Sequence, residues 1–354
     1  MKSPICRGHA RPARGVADHR VALLILVAGV LTGCSPAIHL PSDLYAADTI
    51  YVPGERQTSL LQFSASANGN DSPKAVLNLP PSFHVASLAT DADGNIYVGD
   101  KTAAGQVLVY AADATDSDTP TRTLNLGPSI LPSVLAVDPD GLLYVGADRH
   151  GDVGPTVSVY SSTADAAVSA QRTIQLTHFD SLSDLTTDED GNLYAGGMIT
   201  LNDGSRSFAV EIFSPKASGS AAPSRTITIS ATVYGIAVTP DGELFSIVML
   251  GKGSAYAVEE FAATAKGQAT PVSVIHLPTP VSGLADRAAV RVDGAGAVFA
   301  SLSYSGQNSS PRQSSKGSPK VFIYSYDGAA NRSANPRTQL VTLGGLGAAL
   351  ALTN

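Results

Sequence analysis

Short apolar segments alternate with acidic, glycine-containing turns along most of this chain. The phrase LATDADGNIY at residues 88–97 recurs as LAVDPDGLLY at 135–144, LTTDEDGNLY at 185–194 and IAVTPDGELF at 236–245, while VRVDGAGAVF at 290–299 keeps the same frame. Each phrase predicts two strands joined by a tight turn, the second strand carrying an aromatic residue at a fixed place. These aromatic residues are spaced 47 to 54 positions apart, which is a typical period for propeller blades.

Each repeat continues with a third and a fourth predicted strand. The third strands end in aromatic residues: Phe63, Tyr110, Tyr160, Phe213, Phe261 and Tyr324. The fourth strands fall at residues 73–79, 120–126, 172–176, 223–229, 271–277 and 336–343. No convincing 3.6-residue apolar period interrupts them. The chain is therefore predicted to be an all-β protein, a six-bladed β-propeller of four-stranded blades.

The two ends of the repeat region predict how the ring closes. Residues 49–79 supply a second, third and fourth strand, with Tyr51 in the marker position, but no first strand. Residues 350–353 (LALT) match the first-strand segment 236–239 (IAVT). We expect this C-terminal strand to complete the N-terminal blade, which removes an open sheet edge and joins the two termini.

The repeated phrase resembles that of the NHL family and its bacterial relatives, in which apolar-Ala-Val-Asp-x-x-Gly-Asn-Leu-Tyr-Val recurs blade by blade. The resemblance covers residues 49–354 and implies a propeller fold. It leaves the function open, because that family includes binding modules, lyases and lactonases.

The first 33 residues have the pattern of a signal peptide. Five basic residues precede an apolar run at 21–33, which is too short to span a membrane. The run ends in LTGC, which resembles the bacterial lipobox and implies cleavage before Cys34 and lipidation of its thiol. We therefore expect a signal peptide (1–33), a lipidated Cys34 with a tether (34–48) and a propeller (49–354). The alternative is an ordinary secretory signal with a chance cysteine.

The predicted lipid anchor places the protein at the bacterial cell envelope. Ser35 follows the cysteine where inner-membrane lipoproteins carry Asp, so the outer membrane is favoured if the host has one. Beyond residue 33 the chain has 18 basic and 29 acidic residues, a formal net charge of −11. Such a surface repels phosphate backbones, and the lack of Trp removes stacking platforms, so nucleic acid is excluded as a partner. We expect a monomer.

Candidate site residues lie in the loops that lead into the innermost strands, where propellers bind ligands at the channel mouth. They are His84, His178, Asp180, Asp184, Tyr234, Asp286 and Arg287. Asp286 and Arg287 are predicted either to pair with Asp184 as a structural group or, through Arg287, to hold a carboxylate or phosphate. The acidic turns are interpreted as tight turns rather than calcium loops, which need six to eight converging oxygens.

The catalytic alternatives have few supporting residues. A lactonase would place metal ligands at the inner positions, which here are Ser87, Val134, Asp184, Gly235, Ala289 and Ala349. Of these only Asp184 is a candidate ligand, so neither a metal nor another cofactor is predicted. A lyase would use His84 or His178 as a general base beside a metal-binding glutamate, and we expect no nearby glutamate to accompany either histidine. We therefore predict a binding module for a protein, peptide or glycan, with a lactonase- or lyase-type enzyme as the alternative.

Overall fold

The computed structural model describes residues 43–52, 55–81, 83–100, 102, 105–127, 130–148, 154–201, 203–251, 255–278, 285, 287–294, 296–304, 320–326, 336, 338–343 and 350–352. The predicted signal peptide and Cys34 lie outside this part of the chain. Within it, no helix is long and apolar enough to cross a membrane.

Six antiparallel sheets form the blades of the propeller, as the repeat predicted. Blade 1 consists of β26 (Leu350–Leu352), β1 (Asp43–Val52), β2 (Glu55–Ser64) and β3 (Ala75–Asn78). Blade 2 consists of β4 (Val85–Thr90), β5 (Ile96–Asp100), β6 (Gln106–Tyr110) and β7 (Arg122–Asn125). Blade 3 consists of β8 (Val134–Val137), β9 (Leu143–Ala147), β10 (Thr156–Tyr160) and β12 (Arg172–Gln175).

The second half of the ring repeats this order. Blade 4 consists of β13 (Phe179–Thr187), β14 (Leu193–Thr200), β15 (Arg206–Phe213) and β16 (Arg225–Ile229). Blade 5 consists of β17 (Thr232–Val238), β18 (Leu244–Leu250), β19 (Ala255–Phe261) and β21 (Ser273–His276). Blade 6 consists of β22 (Arg287–Val292), β23 (Val298–Tyr304), β24 (Lys320–Tyr326) and β25 (Thr338–Leu343). Two short strands, β11 (Ala166–Ala167) and β20 (Gly267–Gln268), pair in parallel with the outer edges of blades 2 and 4.

The C-terminal strand closes the ring, as predicted. β26 pairs antiparallel with β1, with Leu350 opposite Ala46 and Leu352 opposite Leu44. The Thr90 hydroxyl of blade 2 also donates a hydrogen bond to the Leu352 carbonyl. The buried hydrophobic clusters lie between neighbouring blades, and one of them joins blades 6 and 1. The first and last strands that the structure describes, β1 and β26, are therefore held by the same kind of packing as the other blades.

The first strand of the chain differs from the prediction in its start and register. β1 begins at Asp43, inside the segment 34–48 that was assigned to the tether. The marker position of blade 1 is Tyr45, which lies opposite Ala351 as Tyr97 lies opposite Ala89 in blade 2. Assigning this position to Tyr51 was wrong. The strand contains two similar apolar-Tyr pairs, and the pairing with β26 selects the first of them.

The acidic turns are structural, as interpreted from the sequence. In blade 2, Asp91 Oδ1 accepts hydrogen bonds from the Asp93 and Asn95 amides, at 3.1 and 2.9 Å. Gly94 has a φ of 82°, in the left-handed region that glycine occupies without a Cβ clash. The carboxylate thus supplies the hydrogen-bond acceptor for the amides of the turn that joins the first two strands.

An aspartate, a tyrosine and an arginine form the same hydrogen-bonded group in three consecutive blades. In blade 2 the Tyr97 hydroxyl donates to Asp91 Oδ2 (3.1 Å) and accepts from Arg122 Nη2 (3.0 Å). Arg122 Nη1 also donates to the Ser162 and Ala164 carbonyls of blade 3. The equivalent groups are Asp138, Tyr144 and Arg172 in blade 3 and Asp188, Tyr194 and Arg225 in blade 4. Arg172 also donates to the Pro215 carbonyl of blade 4, and Arg225 to the Ala263 carbonyl of blade 5, so each arginine ties its blade to the next one.

Candidate functional site

A central channel runs between the innermost strands β26, β4, β8, β13, β17 and β22. Three cavities of about 180, 160 and 280 Å³ follow one another along it, since each shares lining residues with the next. The first lies at the end where the connecting loops lead into the innermost strands, and we call it the mouth cavity. The third is lined by the acidic turns, including Asp91, Asp138 and Asp188.

The mouth cavity has a polar and charged lining. Its charged residues are Asp184, Arg287 and Arg291. Its hydroxyl groups come from Ser87, Ser133, Ser183 and Tyr234. Of the predicted site residues, the structure therefore brings Asp184, Tyr234 and Arg287 together.

Asp184 is buried at the mouth cavity, and both oxygens of its carboxylate accept hydrogen bonds. Its Oδ1 accepts a hydrogen bond from the Leu185 amide (2.9 Å), and its Oδ2 accepts one from the Ile236 amide in blade 5 (3.0 Å). An irregularity in the pairing between Leu182 and Asp184 places it there. Gly235 leaves the space, because a Cβ at that position would lie 3.3 Å from Asp184 Oδ2.

The ion pair at the mouth involves a different arginine from the predicted one. Arg291 Nη1 lies 3.1 Å from Asp184 Oδ2, whereas Arg287 Nη1 donates to the Ala86 carbonyl of blade 2 at 3.3 Å. The predicted pairing of Arg287 with Asp184 was wrong, and Asp286 lies outside the described residues. Arg291 is four residues further along β22, at the level where the Asp184 carboxylate sits.

Arg291 is the main site residue that the sequence analysis missed. The same position in blades 1 to 5 holds Ala351, Ala89, Ala136, Thr186 and Ala237, all of them small. A long cation in place of a small residue was the available signal. Arg291 lines both the mouth cavity and the second cavity, so its side chain stands inside the channel.

His178 has a glutamate partner that the sequence analysis did not find. Its Nδ1 lies 2.8 Å from Glu211 Oε1, so the statement that no glutamate accompanies it was wrong. Glu211 belongs to the third strand of blade 4 and is buried, while the His178 side chain is 59% exposed. The two residues are 33 positions apart, and the blade fold alone brings them together. Neither lines the mouth cavity.

The other predicted residues occupy separate surroundings. His84 donates its backbone amide to Asp100 Oδ1 at 3.1 Å, and Asp180 Oδ2 accepts a hydrogen bond from the Thr200 hydroxyl at 2.6 Å. Neither lines the mouth cavity. The Tyr234 ring does, and it contacts Tyr256 edge to face with 5.7 Å between ring centroids.

The inner positions are structurally equivalent, as the repeat predicted. Ser87 lies opposite Gly99, Val134 opposite Gly146 and Asp184 opposite Gly196. Gly235 and Ala289 follow in blades 5 and 6, while Ala349 lies outside the described residues. Among those described residues, no group of three or more His, Cys, Asp and Glu side chains is placed to hold a metal ion.

The carboxyl group of Glu259 is buried away from the channel. Glu259, on β19 of blade 5, is 9% exposed, and its strand neighbours on the same face, Ala257 and Phe261, pack between blades 4 and 5. Burial raises the pKa of Glu259. The hydroxyl of Ser246, opposite Glu259 on β18, is buried with no hydrogen-bond partner in the described structure.

Comparisons with known proteins concern the fold. No protein-family model matches the chain, and no curated protein matches it. A solved structure of a protein of unknown function from Bacteroides caccae superposes with a TM-score of 0.56 at 11% identity, covering 89% of this chain and 100% of that chain. The WD40 β-propeller domain of Doa1 gives a TM-score of 0.42 at 16% identity, covering 73% of this chain and 92% of that chain. At 11% identity the first similarity supports the propeller fold alone.

Proposed function

We propose that this protein is a lipid-anchored binding module of the bacterial cell envelope that holds its ligand at the channel mouth. The observation that carries the proposal is the mouth cavity, where side chains from several blades place three charged groups and four hydroxyls around about 180 Å³. Sites of this kind, concave with a few convergent polar groups, are typical of ligand recognition. β-Propellers commonly serve as binding modules, and a protein, peptide or glycan ligand suits a cavity that takes the end of a larger molecule.

The anchor rests on the lipobox-like LTGC sequence and the apolar run before it. Thioether and amide lipidation at Cys34 would supply more than one acyl chain, which gives stable membrane attachment. Labelling the full chain with a palmitate analogue in a bacterial host tests this, with Cys34→Ala as the comparison. Loss of label in the variant is expected, and equal labelling of both would contradict the anchor.

Ligand binding at the mouth is tested by filling the cavity. Ser183 lines the mouth cavity, so Ser183→Trp places an indole ring in it. Ser117→Trp, at an exposed position of blade 2, is the matched control. Immobilised full-length protein is exposed to envelope extract, and bound molecules are identified by mass spectrometry. Molecules retained by the parent and by S117W should be lost from S183W. Equal retention by all three would refute binding at the mouth.

A further inference from the structure

We infer that the mouth cavity recognises a carboxylate group and that Arg287 is the residue that binds it. This inference rests on the proposed binding function and names the chemistry of the ligand. A small free acid and the end of a peptide both supply this group, and titration with defined probes separates the two sources.

The mouth cavity carries a net positive charge. Two arginines and one aspartate line it, which leaves one excess positive charge. The chain as a whole is negative, with a formal net charge of −7. An isolated positive charge within a negative protein attracts a single anionic group and concentrates it at that point.

Arg287 is available to bind the anionic group, whereas Arg291 is paired with Asp184. Asp184 accepts hydrogen bonds from two backbone amides and from Arg291, so its carboxylate neutralises Arg291 and fixes it in the channel. Arg287 has one hydrogen bond, a 3.3 Å contact from Nη1 to the Ala86 carbonyl. Its Nη2 and Nε have no partner among the residues that the structure describes. A planar guanidinium with unused donors binds carboxylates in a bidentate manner.

The polarity and size of the mouth cavity limit which anion fits. Ser183, at the pairing irregularity of β13, also lines the cavity, and its hydroxyl has no hydrogen-bond partner in the described part of the chain. It can donate to an oxygen of the bound group. A volume of about 180 Å³ is below that of sites for drug-sized ligands. The cavity therefore fits a small acid or a terminal group, and one excess charge matches a carboxylate better than a doubly charged phosphate.

The test is isothermal titration of the full chain, purified in detergent, with defined probes. Butyrate, which carries a single carboxylate, is compared with uncharged butyramide and with inorganic phosphate. An acetylated tripeptide with a free carboxyl terminus is compared with its C-terminal amide. We expect at least tenfold weaker binding of the amide forms and of phosphate. A preference for butyrate indicates a free acid as the source, and a preference for the tripeptide indicates a peptide end.

Three variants assign the effect to Arg287. Arg287→Gln should weaken carboxylate binding at least tenfold, and Arg287→Lys should weaken it less because the charge remains. Arg206→Gln, at an exposed arginine of β15, should leave it unchanged. Circular dichroism confirms that each variant is folded. If R287K and R287Q both bind like the parent, or if butyramide or phosphate binds as well as butyrate, the carboxylate assignment is overturned.

The outcome is separable from that of the proposed function. If S183W loses envelope molecules while R287Q retains them, the mouth binds a ligand through other groups, and only the carboxylate inference fails. If S183W and R287Q both retain them, both proposals fail.

Discussion

Removing the Asp184 carboxylate should strongly destabilise the propeller. In Asp184→Ala the amides of Leu185 and Ile236 lose their acceptor, and Arg291 loses its ionic partner. A buried donor without a partner costs about 1–3 kcal/mol. Breaking a buried ion pair from one side costs about 3–5 kcal/mol, and partial exposure of the Arg291 side chain, at 21%, places the pair at the lower end. We expect a loss of about 3 kcal/mol in the free energy of unfolding.

Urea unfolding followed by far-UV circular dichroism measures this change, since the chain has no Trp to report on unfolding by fluorescence. Asp180→Ala is the control, because this aspartate accepts one hydrogen bond at an exposed hairpin and should cost less than about 1 kcal/mol. A double variant with Arg291→Met should recover part of the loss, because no unpaired cation then remains in the channel. A loss below about 1 kcal/mol in D184A would refute the role assigned to this carboxylate.

Two further predictions concern positions away from the channel. Ala166 has a φ of 58°, and Gly219 and Gly267, at the equivalent positions of other blades, also have positive φ. Because glycine adopts this conformation without a Cβ clash, Ala166→Gly should raise the free energy of unfolding by about 0.5–1 kcal/mol in urea titrations. Gly219→Ala should lower it. Burial raises the pKa of Glu259 above its ordinary value of 4.5, so the parent protein should lose stability as the pH rises from that value through the raised pKa. Glu259→Gln should therefore gain about 1 kcal/mol over the parent at pH 7 and little at pH 4, in parallel urea titrations, and an equal effect at both pH values would contradict this.

The fold could be predicted because its signals are local. In most repeats the turn glycine, the aspartate that accepts hydrogen bonds from the turn amides and the marker aromatic lie within ten residues of one another. The blades can therefore be recognised from the sequence. The first strand was harder to place, because it contains two apolar-Tyr pairs, at Tyr45 and Tyr51. Pairing with a strand about 300 residues away selects between them.

The site could be predicted only in part, because its contacts join distant blades. The inner position of Asp184 followed from the repeat, but its partner depends on how β13 and β22 face each other across the channel. That geometry selects Arg291 over Arg287, which lies four residues earlier on β22. His178, in the turn before β13, and Glu211, on β15, likewise meet through the fold and not through closeness in sequence.

The most direct test of the closed ring, on which the channel and its mouth depend, is urea unfolding of a chain that ends at residue 349. This truncation removes Leu350, Ala351 and Leu352, which are 1%, 2% and 8% exposed in the packing between blades 6, 1 and 2. Loss of two buried leucines at about 2–5 kcal/mol each predicts a fall of about 4 kcal/mol or more in the free energy of unfolding. A chain ending at residue 352 should match the parent. A chain ending at 349 that unfolds within about 1 kcal/mol of the parent would contradict closure by β26.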